Sequence, residues 1–349
     1  MKTHNCLKNL LGILILITLC GYTEKKNPNN ETDLWPEIEP FETGYLKVSD
    51  IHEIYYEVCG NPEGIPVFVI HDGPGAACSP YIRRFFNPEK YLIVLHDQRG
   101  CGKSKPNKEL KDNNTNALIR DIEQLRLHLS LDEIILFGGS WGTTLSIAYA
   151  EEYPANVKAM VLRGIYLATQ EEETDYFLRL KKYFPEYYQS CMNLMPDSVL
   201  ELNNSILYKL TNSNTFNEWK ELIKALDRLE SNASVLNFDD KSLDEFHNSD
   251  EYISWLHTMY GIAYHFLVNS FFLEEGQLLD NISKIQGIPA TIVHGRYDII
   301  CPPFYAYILH QNLPESKLII TELSGHFLDE KPIEKELLKA MKELENIPN

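Results

Sequence analysis

No two cysteines in this 349-residue chain stand in a C-x-x-C pair, and the seven that occur are scattered. That spacing excludes the common zinc sites and a disulfide framework, both of which need cysteines in sets. An excess of positive charge is missing as well: 32 Lys and Arg face 50 Asp and Glu, a formal net charge of −18. A surface of that sign repels a phosphate backbone and anionic lipid, so nucleic acid and a peripheral membrane surface are excluded as partners. No internal repeat and no low-complexity tract interrupts the chain, so a solenoid and a disordered array are excluded too. The run LLGILILITLC, Leu10 to Cys20, is too short to cross a bilayer comfortably.

That run has the length of a signal-peptide core, and Lys2 and Lys8 precede it. It ends at ITLC, which resembles a bacterial lipoprotein box with Cys20 as the lipidated residue, although Leu19 stands where that pattern has a small residue. The expectation is export: a leader over residues 1–20, a polar tether over 21–41, and membrane attachment through the N-terminus alone. The remainder, 44% apolar and 23% charged overall, is long enough to bury a large core. The five cysteines outside the leader (Cys59, Cys78, Cys101, Cys191 and Cys301) read as small buried residues.

GYLKVSD and IHEIYYEVCG predict a hairpin. The short apolar runs PVFVI (66–70), YLIVL (91–95), EIILF (133–137) and KAMVL (158–162) follow at β/α spacing and predict buried parallel strands. Between the second and third, Leu118, Ile122, Leu125 and Leu129 fall on one helical face, with Asn114 or Thr115 as the cap. From about Tyr166 to Asp280 the strand rhythm gives way to helical periodicity, and it returns at ATIVHG and KLIITEL. The predicted architecture is α/β: a mostly parallel doubly wound sheet over 42–165 and 281–349, with an inserted helical cap over 166–280.

One stretch carries chemistry. Gly138-Gly139-Ser140-Trp141-Gly142 is a G-x-S-x-G that follows a predicted strand and opens a predicted helix, the setting of a nucleophile elbow. A hydroxyl is a poor nucleophile near neutral pH, so it needs a base, and the base needs an orienting carboxylate. In this fold class the chain order is Ser, then Asp or Glu, then His. Asp298 in HGRYDII and His326 in LSGHFLDE follow the last two strands in that order. Asp329 and Glu330 compete with Asp298, but such near neighbours of a histidine more often begin the next helix. His265 and His294 read as core histidines. HDGPG (71–75) supplies Gly73 as one oxyanion donor, and the backbone N–H of Trp141 is the other.

HDGPG, DQRGCGKS (97–104), FGGSWGTTL (137–145), LRGI (162–165) and VHGRYD (293–298) together resemble the proline iminopeptidases, α/β-hydrolase serine peptidases, over roughly residues 42 to 345. The resemblance implies removal of an N-terminal residue, typically proline, from a small peptide substrate, with no metal and no organic cofactor. It also implies an aromatic proline pocket, with Tyr166 and Tyr176 at the corresponding places. Two departures stand out. The family's HGGPG is HDGPG here, with Asp72 at the second position. The family's two ammonium-binding glutamates, one after a tryptophan and one before a histidine-aromatic-aromatic stretch, fall on Lys220 and Ala263. Glu218 and Glu221 flank the first of these, and Glu230, Glu251, Glu274 and Glu275 are further acids of the cap. A lysine repels an ammonium. The alternative is therefore an esterase, amidase or lactonase acting on small non-peptide acyl substrates.

Overall fold

The computed structural model describes residues 33–212, 216–238, 243, 247 and 249–347, without the side chains of 216–218. Cys20, the rest of the expected leader and the tether up to residue 32 lie outside the described residues, as does the side chain of Glu218.

The alternating N-terminal segments form β1 (Glu42–Lys47) and β2 (Glu53–Gly60), paired antiparallel. The apolar runs form β3 (Ile65–Ile70), β4 (Tyr91–His96), β5 (Ile134–Gly139) and β6 (Val157–Arg163). β7 (Ala290–Gly295) and β8 (Ser316–Thr321) complete an eight-stranded sheet of order β1-β2-β4-β3-β5-β6-β7-β8. From β4 to β8 every neighbouring pair is parallel. β4 and β5 are buried along their whole length, as strands covered on both faces must be.

The order reverses at β3: the chain runs from β3 out to β4, then returns across it to β5. The carboxyl ends of β3 and β5 therefore lie side by side while their loops diverge, which is where open α/β sheets form their crevices. On one face, α1 (Thr115–His128), α2 (Trp141–Glu152) and α9 (Pro303–Asn312) bring Ile122, Leu145 and Leu309 onto Phe68, Leu136 and Leu162. Asn114 caps α1, its side chain accepting from Ala117 N–H. On the other face, α10 (Lys331–Leu344) packs Ile333, Leu337 and Met341 onto Val69, Ile93 and Ile135. Each fully buried aliphatic of this kind contributes roughly 1.5–3 kcal/mol.

Between β6 and β7 the described residues hold helices and no strand: α3 (Gln170–Tyr183), α4 (Pro185–Met192), α5 (Asn204–Thr211), α6 (Phe216–Ser234), α7 (Asp250–Val268) and the short α8 (Gln277–Asp280). Thr169 and Glu172 start α3 with a reciprocal capping box. Leu222, Leu226 and Leu229 share one face of α6 and meet Leu180, Leu207 and Leu256 in a core of the cap's own. Ile299 and Ile300, just past β7, pack against that core. The loop that carries Asp298 is thus in contact with the cap.

Candidate active site

Ser140 occupies the turn between β5 and α2 with φ 51° and ψ −124°. A non-glycine residue held there costs on the order of 1–3 kcal/mol, and the surrounding structure must fix it. Ser140 N–H donates to Arg163 O (2.9 Å) and Thr143 N–H donates to Ser140 O (2.8 Å). The glycines answer to close approach. A Cβ on Gly142 would collide with the carbonyl oxygen of Ile70, and one on Gly139 with the Arg163 guanidinium and the Asp72 carboxylate.

His326 and Asp298 meet as their places after β8 and β7 predict. The imidazole Nδ1 lies 2.7 Å from Asp298 Oδ2, with both side chains buried. Asp298 also accepts from Cys301 N–H (2.7 Å). Burial alone would raise the Asp298 carboxyl. The His326 imidazole, His294 and the Cys301 N–H outweigh it and hold the group below its ordinary value. A carboxylate at Nδ1 leaves Nε2 with the lone pair, the tautomer a base for Ser140 requires. Ser140 and His326 line one cavity of about 540 Å³, and the buried Cys301 lines it beside them.

The competing residues do other work. Glu330 accepts from Gly325 N–H (2.7 Å) and Leu236 N–H (3.3 Å), so it ties the histidine loop to the residues after α6. His326 N–H donates to Ser234 O (2.6 Å) at the end of α6. His294 accepts from Ile165 N–H at Nδ1 (3.1 Å) and donates to Cys301 O from Nε2 (2.7 Å), and burial lowers its pKa. His265 donates to Asn113 O (2.9 Å). Both are structural.

Gly73 lines the cavity beside Ser140. The Trp141 side chain is fully buried, its Nε1–H donating to Gln98 Oε1 (2.9 Å) and its ring stacked on Phe271. What Trp141 can offer a reacting carbonyl is its backbone N–H, in the first turn of α2, where helix amides have no partner within the helix. Asp72 lines the same cavity but is bound to Arg163, Oδ2 to Nη2 at 2.5 Å. Sequence reasoning gave Arg163 no role. A buried arginine closing an apolar strand needs an anion, and Asp72 is that anion.

The cap side of the cavity corrects one expectation. Lys220 is not among the residues that line it. It stands ten residues before Glu230 on α6, which is roughly 15 Å along the helix. Glu230 does line the cavity and accepts from Tyr176 Oη (2.9 Å) and Tyr260 Oη (2.9 Å). Leu229, not a tryptophan, precedes it. Ala263 lines the cavity and brings no carboxylate; Tyr166 lines it as well. Glu251 and Glu173 also reach it, whereas Glu221, Glu274 and Glu275 do not. Carboxylates thus outnumber basic side chains around the cavity.

Burial pushes the Glu230 carboxyl up from 4.5 to about 7, against the two tyrosine donors and with a smaller push from Asp227. The folded state then keeps a proton that the unfolded chain has released, so this group's stabilisation is complete below pH 4.5 and lost as pH rises through about 7. Glu230→Gln, which cannot ionise, is expected to melt about 3 °C or more above the parent at pH 8 and level with it at pH 4.5. Equal melting temperatures at pH 8 would contradict the burial argument.

Residues 65–330 match the family described as alpha/beta hydrolase fold, and the sheet, the serine elbow and the cap over its carboxyl edge make the molecule an α/β hydrolase. A proline iminopeptidase of Xanthomonas citri is 41% identical over 296 residues, which is 84% of this chain and 93% of that protein. One from Arabidopsis thaliana is 38% identical over 317 residues, 89% of this chain and 82% of its own. The chain belongs to the proline iminopeptidase family. Among solved structures, an esterase from Exiguobacterium antarcticum (TM-score 0.59, 20% identity, covering 87% of this chain and all of the other) shares the fold. So does a proline iminopeptidase-related protein of Thermus thermophilus (TM-score 0.58, 19% identity, 88% and 98% covered).

Proposed function

We propose that this protein is a serine aminopeptidase that releases an N-terminal residue, proline favoured, from small peptides. The observation that carries this is Glu230, an acid held by two tyrosine hydroxyls inside the cavity that Ser140 and His326 line. A substrate ammonium entering the cavity supplies the countercharge that Glu230 lacks, and the Tyr166 and Tyr176 rings offer a flat apolar ring their faces. Ser140 Oγ attacks the scissile carbonyl as its proton passes to His326 Nε2. Asp298 stabilises the imidazolium, and the Gly73 and Trp141 N–H groups hold the oxyanion. His326 then gives the proton to the departing amine, and water repeats the sequence on the acyl-enzyme.

The esterase, amidase or lactonase reading rested on both ammonium-binding glutamates being replaced, at Lys220 and Ala263; Lys220 lies outside the cavity, and Glu230 supplies a carboxylate inside it. Proline p-nitroanilide is expected to exceed N-acetylproline p-nitroanilide in kcat/KM by at least about 100-fold, because the blocked substrate leaves Glu230 unpaired. Comparable rates on the two would overturn the assignment. Export belongs to the same proposal and is supported by the Lys2, Lys8 and Leu10–Cys20 leader, with Cys20 as the lipidation position if the tether is anchored.

A further inference from the structure

Arg163, at the end of β6, reaches His326. Its Nη1 donates to His326 O (2.9 Å) and lies 3.3 Å from His326 Nε2, the nitrogen that has to receive the serine proton. Its Nη2 is bound to Asp72 at 2.5 Å, and both side chains are largely buried. A guanidinium cannot lose its charge at any working pH. Unbalanced at this distance from the imidazole, it would oppose the imidazolium that forms when Ser140 attacks. It would also present a donor to a nitrogen that has just become a donor itself. The other groups facing His326 do not remove this conflict. Asp298 is engaged at Nδ1, His294 is spent on Ile165 N–H and Cys301 O, and Glu330 is bound to Gly325 and Leu236 N–H. The counter-charge on the Arg163 side is Asp72, and Gly139 clears the room for it, since a Cβ there would displace the ion pair.

We propose that Asp72 is a positioning residue for acyl transfer: it neutralises the Arg163 guanidinium that stands beside His326 Nε2, so that the imidazole can take the Ser140 proton and pass it to the leaving group. The acid that departs from HGGPG in the oxyanion loop thus serves the histidine rather than opposing the oxyanion. The inference rests on Ser140 and His326 as the reacting pair. It is independent of the proline preference.

Four full-length proteins test it: the parent, D72N, D72E and D72N/R163M, each assayed on proline p-nitroanilide and on p-nitrophenyl acetate, with fluorophosphonate labelling of Ser140 as a third readout. D72N is expected to lose about 30-fold or more in kcat and in labelling rate, with KM within about twofold. D72E, which keeps the charge, should recover most of that loss. D72N/R163M, which removes both charges, should be at least about tenfold faster than D72N. A D72N enzyme within about twofold of the parent would overturn the proposal, and so would a double variant no faster than D72N. If D72N does not fold, D72S takes its place, and D72S/R163M must again be the faster of the two. Should proline p-nitroanilide prove no substrate at all, the ester and labelling arms still decide the role of Asp72, while the aminopeptidase proposal falls separately.

Discussion

Replacing Ser140 by alanine is expected to lower turnover of proline p-nitroanilide by about 10⁵-fold or more and to abolish fluorophosphonate labelling. The size follows from what is removed. Ser140 Oγ is the one protein atom that the proposed acyl transfer bonds to the substrate. The folded state has little reason to object. Ser140 makes no side-chain capping hydrogen bond to α2, and its backbone contacts to Arg163 and Thr143 do not involve Oγ. Alanine also meets the same positive φ as serine, so the strain is unchanged. The measurement is therefore turnover and labelling beside a melting curve. Residual activity above about 1% of the parent, with the fold intact, would mean that the nucleophile is elsewhere, and the Cys301 thiol beside Ser140 would be the next group to replace.

The parts of this site that local pattern dictates are legible in the sequence. β5 must be apolar because both its faces are buried, the turn after it must be glycine-rich because Gly142 passes against Ile70 O, and Ser140 is what remains between. Asp298 and His326 are legible for a related reason: each sits on the loop that follows one of the last two strands, and chain order fixes which is which. The specificity side is not legible in this way. Ten residues on α6 separate Trp219-Lys220 from Leu229-Glu230, and nothing in the helical periodicity says which end of the helix overhangs the cavity. The Arg163–Asp72 pair joins positions 91 residues apart, from two different strand ends. Each is odd alone, a charge in an apolar strand and an acid in a glycine loop. Their partnership appears only when the sheet order places β3 next to β5 and β5 next to β6. Glu330 is close to His326 in sequence, yet from the N-cap of the last helix it binds the backbone amides of Gly325 and Leu236 rather than the imidazole.

Glu230→Ala is expected to lower kcat/KM on proline p-nitroanilide by about 10³-fold while leaving p-nitrophenyl acetate within about threefold. The difference between substrates is the content of the prediction, since an effect on both would place Glu230 with the chemistry or with folding. The pH dependence gives it a sign. The Glu230 carboxyl is pushed up to about 7, because burial opposes its charge more than Tyr176 and Tyr260 favour it. Below that pH the acid is neutral and an ammonium gains little from it. The prolyl activity therefore carries an ionisation near pH 7 beyond those it shares with ester hydrolysis, and Glu230→Ala removes that ionisation along with most of the rate. The two tyrosine hydroxyls stabilise the charged form, so deleting one must move this ionisation in a fixed direction. Tyr176→Phe raises the Glu230 carboxyl further and shifts the prolyl ionisation to higher pH, with the ester profile unmoved. A shift to lower pH, or the same shift on the ester, would show that the ionisation belongs to another group.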